Sequence, residues 1–160
     1  MRLLIVDDHE AVRYGLRSLL SSRSDWAICG EAVDGVEAVE KTKSLQPDII
    51  LMDISMPRMD GLEATRIILK EFPRCKVVIV TQSDPSVAQG QAAAVGAKAF
   101  VTKAQLSRDL LTTVDQVAQS GDSELNQPVR ANSAARAEYF SAGGGMVGQL
   151  VRDLDWSKRR

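Results

Sequence analysis

Residues 47–61 read PDIILMDISMPRMDG. Four apolar residues, Ile49 to Met52, stand between two acids, Asp48 and Asp53. A run this short and this pure is the pattern of a strand covered on both faces. Leu3 to Val6 and Val77 to Val80 repeat it. Trp26 to Cys29 and Ala99 to Val101 are less pure versions. Five strands are therefore expected.

The stretches between the runs have helical period. Val12, Leu16, Leu19 and Leu20 mark one face of the first. Val36 and Val39 mark the second, which follows the start signal Asp34-Gly35. Leu62, Ile67, Ile68 and Leu69 mark the third. Residues 86–95, rich in Ala and Gln, form the weakest. Leu106, Leu110, Leu111, Val114 and Val117 mark the fifth, which ends near Gly121. Strand and helix alternate five times, the signature of an α/β fold with a parallel sheet. Right-handed crossovers then give a doubly wound, three-layer arrangement with helices on both faces, of flavodoxin-like kind.

Composition agrees. The chain has 160 residues, 44% apolar and 26% charged, enough for one packed domain and an appendage. A net charge of −1 argues against nucleic-acid binding by bulk charge. Cys29 and Cys75 are too few for a disulfide scaffold and read as buried or half-buried thiols. The opening MRLLIVDD is too short in apolar residues for a secretory signal, and no run approaches a membrane span. A cytoplasmic protein without membrane attachment is expected.

Ligands of such folds bind beyond the carboxyl ends of the strands. The residues that stand there are Asp7 and Asp8, Asp53, Thr81 and Lys103. Taken singly, Asp7-Asp8 is an acidic helix start and Thr81 a strand residue. Taken in register, three carboxylates, a hydroxyl and an ammonium meet at one sheet edge. Carboxylates gathered in one pocket raise each other's pKa unless a cation sits among them. Hard oxygen ligands with open positions suit Mg2+. With Lys103 and Thr81 to meet an anion, the set suits phosphoryl transfer to a carboxylate. No Walker-type glycine loop is present, so a nucleotide is not indicated. His9 reads as a helix-start residue rather than a ligand.

The segments LLIVDDHE, PDIILMDISMPRMDGLEATR, VVIVTQSD and GAKAFVTKA, in this order and spacing, resemble the receiver domain of bacterial two-component response regulators, over residues 1–120. The resemblance implies that Asp53 accepts a phosphoryl group from a sensor histidine kinase or a phosphotransfer protein. It implies Asp8 as a direct Mg2+ ligand, Asp7 as one acting largely through water, and Asp53 and the Ser55 backbone carbonyl as further ligands. Thr81 and Lys103 would contact phosphoryl oxygens, and Phe100 falls at the aromatic switch position. Such a protein is no enzyme beyond its own phosphorylation and slow dephosphorylation. Its switched surface could take a partner or a second copy of the chain. Three positions depart from the commonest pattern: Ala104 replaces a proline after Lys103, Gln82 is bulky, and Phe100 lacks a hydroxyl.

Two alternatives stay open. One is a phosphate-independent protein-binding module on the same fold. The other is an Mg2+-dependent phosphatase, disfavoured because Ser55 stands where a general acid is needed. Residues 121–136 read as a polar linker. Residues 137–160 read as an extension, either a short amphipathic helix from Met146 or a disordered tail. About 40 residues after Gly121 fall short of the ~60 of a helix-turn-helix output module, so no direct nucleic-acid binding is expected. The chain is either a stand-alone receiver or a fragment of something longer.

Overall fold

The computed structural model describes residues 1–120. The expected linker and extension lie outside the described residues. The expected alternation is complete: β1 (Arg2–Val6), α1 (Glu10–Leu20), β2 (Ala27–Ala32), α2 (Gly35–Leu45), β3 (Ile49–Asp53), α3 (Gly61–Glu71), β4 (Lys76–Thr81), α4 (Pro85–Val95), β5 (Ala99–Thr102), a 3-10 turn (Lys103–Gln105) and α5 (Leu106–Gln119). The strands form one parallel sheet in the order β2-β1-β3-β4-β5.

Alternate strand residues enter different layers, as the pleat requires. Leu4, Val6, Ile50, Met52, Val77 and Ile79 pack with Ala38 of α2, Ala64 and Ile68 of α3, and Ala92 and Val95 of α4. Leu3, Ile5, Ile49, Leu51, Val78 and Val80 pack with Leu16 and Leu20 of α1 and with Leu110, Val114 and Val117 of α5. Both faces of β1, β3 and β4 are thus apolar, which is why those runs are continuous.

The edge strands explain the impure runs. β2 begins one residue after Trp26 and extends to Ala32. Its ladder with β1 shifts between Leu3 and Leu4, which pair with Ile28 and Gly30 and skip Cys29. The bulge and the one-sided pairing break the pattern that buried strands keep.

Capping sets where the helices begin. Asp34, Asp60 and Asp84 accept from the amides of Glu37 (2.9 Å), Glu63 (2.8 Å) and Ser86 (2.9 Å). Each bond satisfies an amide that the helix leaves unpaired, and losing one costs about 1 kcal/mol. Asp84 with Pro85 starts α4 one residue earlier than its composition suggests. Among the described residues no helix is long and apolar enough to cross a membrane.

Candidate functional site

The sheet order reverses between β1 and β3, and the site lies beyond their carboxyl ends. Asp7 and Asp8 follow β1, Asp53 closes β3, Thr81 closes β4, and Lys103 follows β5. All except Asp8 and Lys103 are buried, with Asp7 fully enclosed. Gly61 lets α3 start close by: a Cβ there would stand 1.8 Å from the Asp53 carbonyl oxygen.

Lys103 joins two of the acids. Its Nζ lies 2.7 Å from Asp7 Oδ2 and 3.3 Å from Asp53 Oδ1. Burial works against the ammonium charge, but Asp7 and Asp53 outweigh it and hold the Lys103 pKa above its ordinary value. Burial also pushes the Asp53 carboxyl up. Lys103 pulls it back and Asp7 pushes it up again, and the balance stays above the ordinary 3.8.

Asp8 meets His9, whose Nδ1 is 2.6 Å from Asp8 Oδ1 and 3.6 Å from Asp7 Oδ1. The backbone amide of His9 donates to Asp7 Oδ1 at 2.9 Å. His9 is the N-cap residue of α1, as expected of a helix-start residue, and its side chain makes no cap bond. The sequence reading missed that its ring also closes a compact group with Asp7 and Asp8, whose ligand atoms lie within 4.8 Å of one another. Asp53 connects to that group through Lys103.

The donor set fits a divalent cation. Two buried carboxylate oxygens, Asp7 Oδ2 and Asp8 Oδ1, have no aligned hydrogen-bond donor. By distance each has a neighbour, Lys103 Nζ for the first and His9 Nδ1 for the second. The contact with Lys103 is a charge contact without hydrogen-bond alignment, and one ammonium serves two carboxylates. Hard anionic oxygens left short of partners are what Mg2+ takes.

Thr81 Oγ1 accepts from the Ser83 amide at 3.0 Å, which leaves its own O–H free to donate. Phe100 is half-buried and packs against the core beneath α4. Ser55 lies exposed in the loop after β3. Ala104 raises no difficulty. No peptide bond among the described residues is cis, and the Thr102 hydroxyl donates to Gln105 Oε1 at 2.8 Å across the 3-10 turn that carries Lys103.

Further residues brace the site without a local signal in the sequence. Arg13 donates to the Asp7 carbonyl at 2.8 Å and to Glu31 at 3.0 Å. Arg58, in the loop after Asp53, donates to the buried carboxylate of Asp34. Both join elements far apart in the chain. The buried Cys75 thiol is pushed up to about 12 by burial, so it holds no thiolate for redox work.

Comparison with known proteins agrees with the geometry. The family model of the response regulator receiver domain matches residues 3–115. The chain is 36% identical over 144 residues to the response regulator protein VraR of Staphylococcus aureus, covering 88% of this chain and 68% of that one. The response regulator domain of Thermotoga maritima CheB superposes with a TM-score of 0.70 at 33% identity, over 76% of this chain and 98% of that one. CheY in the CheX-CheY-BeF3-Mg2+ complex of Borrelia burgdorferi is similar too, with a TM-score of 0.70 at 29% identity, over 75% and 90%. Residues 3–115 include Asp7, Asp8, Asp53, Thr81 and Lys103. The chain belongs to the response regulators of two-component signal transduction, and residues 3–115 are its receiver domain.

Proposed function

We propose that this chain is a phosphorylation-dependent switch whose acceptor is Asp53. The observation that carries the reading is the Lys103 ammonium between Asp7 and Asp53. It joins the acceptor to the acidic group and supplies the positive charge that a transferred phosphoryl group needs.

The donor is the phosphohistidine of a sensor kinase or of a phosphotransfer protein. An Asp53 carboxylate oxygen attacks phosphorus, the P–N bond breaks, and the imidazole leaves with the electron pair. Asp8, with Asp7 behind it, the Asp53 carboxylate and the Ser55 carbonyl would hold Mg2+, which supplies charge to offset the phosphoryl oxygens. A related CheY has been solved with BeF3 and Mg2+. Lys103 meets one oxygen of the transferred group and the Thr81 hydroxyl donates to another. Catalysis of this step is positioning and electrostatics.

The output follows from packing. Drawing Thr81 toward the phosphoryl group vacates space for Phe100 to turn inward. α4 sits above it, anchored by small side chains at Ala88 and Ala92 and by Val95. A helix with so little buried surface shifts at low cost. The face of α4, β5 and α5 is therefore the surface we assign to a partner or to a second copy of the chain.

The test is intact-mass spectrometry after incubation with acetyl phosphate and Mg2+, beside the Asp53→Asn variant. One phosphoryl adduct, absent from the variant, is expected. An adduct that persists in the variant would count against Asp53 as the acceptor.

A further inference from the structure

Arg58 has φ +65°, and Gln46 at +49° is the only other described non-glycine residue with positive φ. Gln46 is a helix C-cap, where the left-handed conformation is routine. Arg58 sits instead in the loop between Asp53 and α3. Glycine takes this conformation without strain, and arginine does not.

The arginine gains a partner by it. Its Nε donates to Asp34 Oδ2 at 2.7 Å, and its Nη2 donates to the same oxygen. The Asp34 side chain is 2% exposed and the Arg58 side chain 62%. The other oxygen, Asp34 Oδ1, takes the Glu37 amide at 2.9 Å. Burial works to raise the Asp34 carboxyl, yet the Glu37 amide and the Arg58 guanidinium hold it below its ordinary value. A buried carboxylate with both oxygens engaged is a fixed point, and the loop is tied to it.

The tie has company. The Gly35 amide donates to the Met59 carbonyl at 3.1 Å, and a Cβ on Gly35 would stand 2.7 Å from Met59. The Gly61 amide donates to the Ile54 carbonyl at 2.9 Å. Residues 54–60 are thus bound to the start of α2, and the loop is closed on itself between Ile54 and the first residue of α3. Ser55 lies between the two fastenings. Its carbonyl is a cation ligand on the reading proposed above, and a ligand on a loop is only as well placed as the loop.

We infer that Arg58 and Asp34 are a positioning pair, which seats the acceptor loop on α2 and thereby sets the affinity of the Asp53 pocket for a divalent cation. The inference rests on the proposed reading of the site. Arg58 acts through the loop and makes no recorded contact with Asp53. It is a supporting partner behind the ligands, of the kind whose loss weakens metal binding without removing a ligand.

The experiment is a double-mutant cycle on Mg2+ affinity, measured by isothermal titration calorimetry, with thermal melting in parallel. Arg58→Gly removes the pair and relieves the backbone. Asp34→Asn removes the charge and keeps an oxygen for the Glu37 amide. Each single variant should bind Mg2+ about tenfold more weakly, and the double variant no more weakly than either alone. Unchanged Mg2+ affinity in both singles, with a lowered melting temperature, would make the pair a stabilising contact only and overturn the inference. Losses that add in the double variant would overturn the pairing. Asp8→Asn is the control that separates the two claims. Mg2+ binding that is absent, or indifferent to Asp8→Asn, overturns the reading of the site and this inference with it.

Discussion

The two ends of the sheet carry the same residue types and treat them differently. At the amino end, Asp48 accepts from the Arg2 amide at 2.6 Å, and Arg2 Nη2 donates to the Leu45 carbonyl at 2.7 Å. Lys76 Nζ donates to the carbonyls of Val117 (3.1 Å), Ala118 (3.3 Å) and Ser120 (2.6 Å), where α5 ends. Every one of these charges is spent on backbone. At the carboxyl end, Lys103 stands between Asp7 and Asp53, Asp8 lies against His9, and two carboxylate oxygens lack an aligned donor. The larger hollow lies at the wrong end: a cavity of about 730 Å³ opens beside Met1, Ile49, Phe72 and Lys76, against about 390 Å³ beside Gln82, Thr102 and Lys103. Unmet electrostatic demand marks the site better than volume does.

The contrast breaks most sharply if the two lysines prove interchangeable. Lys103→Ala should slow acetyl-phosphate labelling by roughly a hundredfold, the effect of removing one positioned donor from a transition state. Lys76→Ala should leave the labelling rate unaltered. Quenched-flow or timed mass spectrometry on both variants distinguishes them, and equal losses would dissolve the comparison.

A smaller effect concerns stability, and it runs in opposite directions at the two ends. Lys76→Met should lower the free energy of unfolding by about 1–2 kcal/mol in urea titration, because three carbonyls at a helix end lose a charged donor. Asp53→Asn should raise the melting temperature at neutral pH. The Asp53 carboxyl has its pKa raised on folding, by burial first, so the folded state holds that proton more tightly. Its ionised form is then a cost to the fold above that pKa, and a neutral amide removes the cost. A lowered melting temperature would mean that the contact with Lys103 outweighs burial.

The smallest expected effect is a displacement along the pH axis. Burial holds the Asp53 carboxyl above the ordinary 3.8. In the metal-free protein the Asp53 carboxyl should therefore take up its proton at a higher pH than a free aspartate does, followed by carboxyl NMR. A midpoint at or below 3.8 would sink the claim.

Much of this was legible in the sequence because the layers impose it. β1, β3 and β4 are apolar on both faces, so Leu3–Val6, Ile49–Met52 and Val77–Val80 announce themselves. Parallel strands put their carboxyl ends on one edge, so the residues after each run had to meet there. That Asp7, Asp53 and Lys103 come together follows from topology and is expected from the sequence; the two ion pairs that Lys103 makes there are read from the structure. Edge strands hid better. The bulge at Cys29 obscured β2, and the start of α4 rested on the Asp84-Pro85 signal rather than on apolar period. Contacts such as Arg58 with Asp34, 24 residues apart, leave no local trace. They depend on how two loops meet, and hydrophobic pattern does not report on that.

One feature of the strand order bears on how the protein is made. Lys103 follows β5, the fifth of five strands and an edge of the sheet. Synthesis delivers Asp7, Asp8 and Asp53 well before it. A nascent chain that has folded as far as β4 gathers its acids with no ammonium among them. Counter-charge arrives only after the fifth strand, so on the proposed reading the pocket is completed late in synthesis. On that reading, a product truncated before Lys103 would carry Asp53 without its counter-charge.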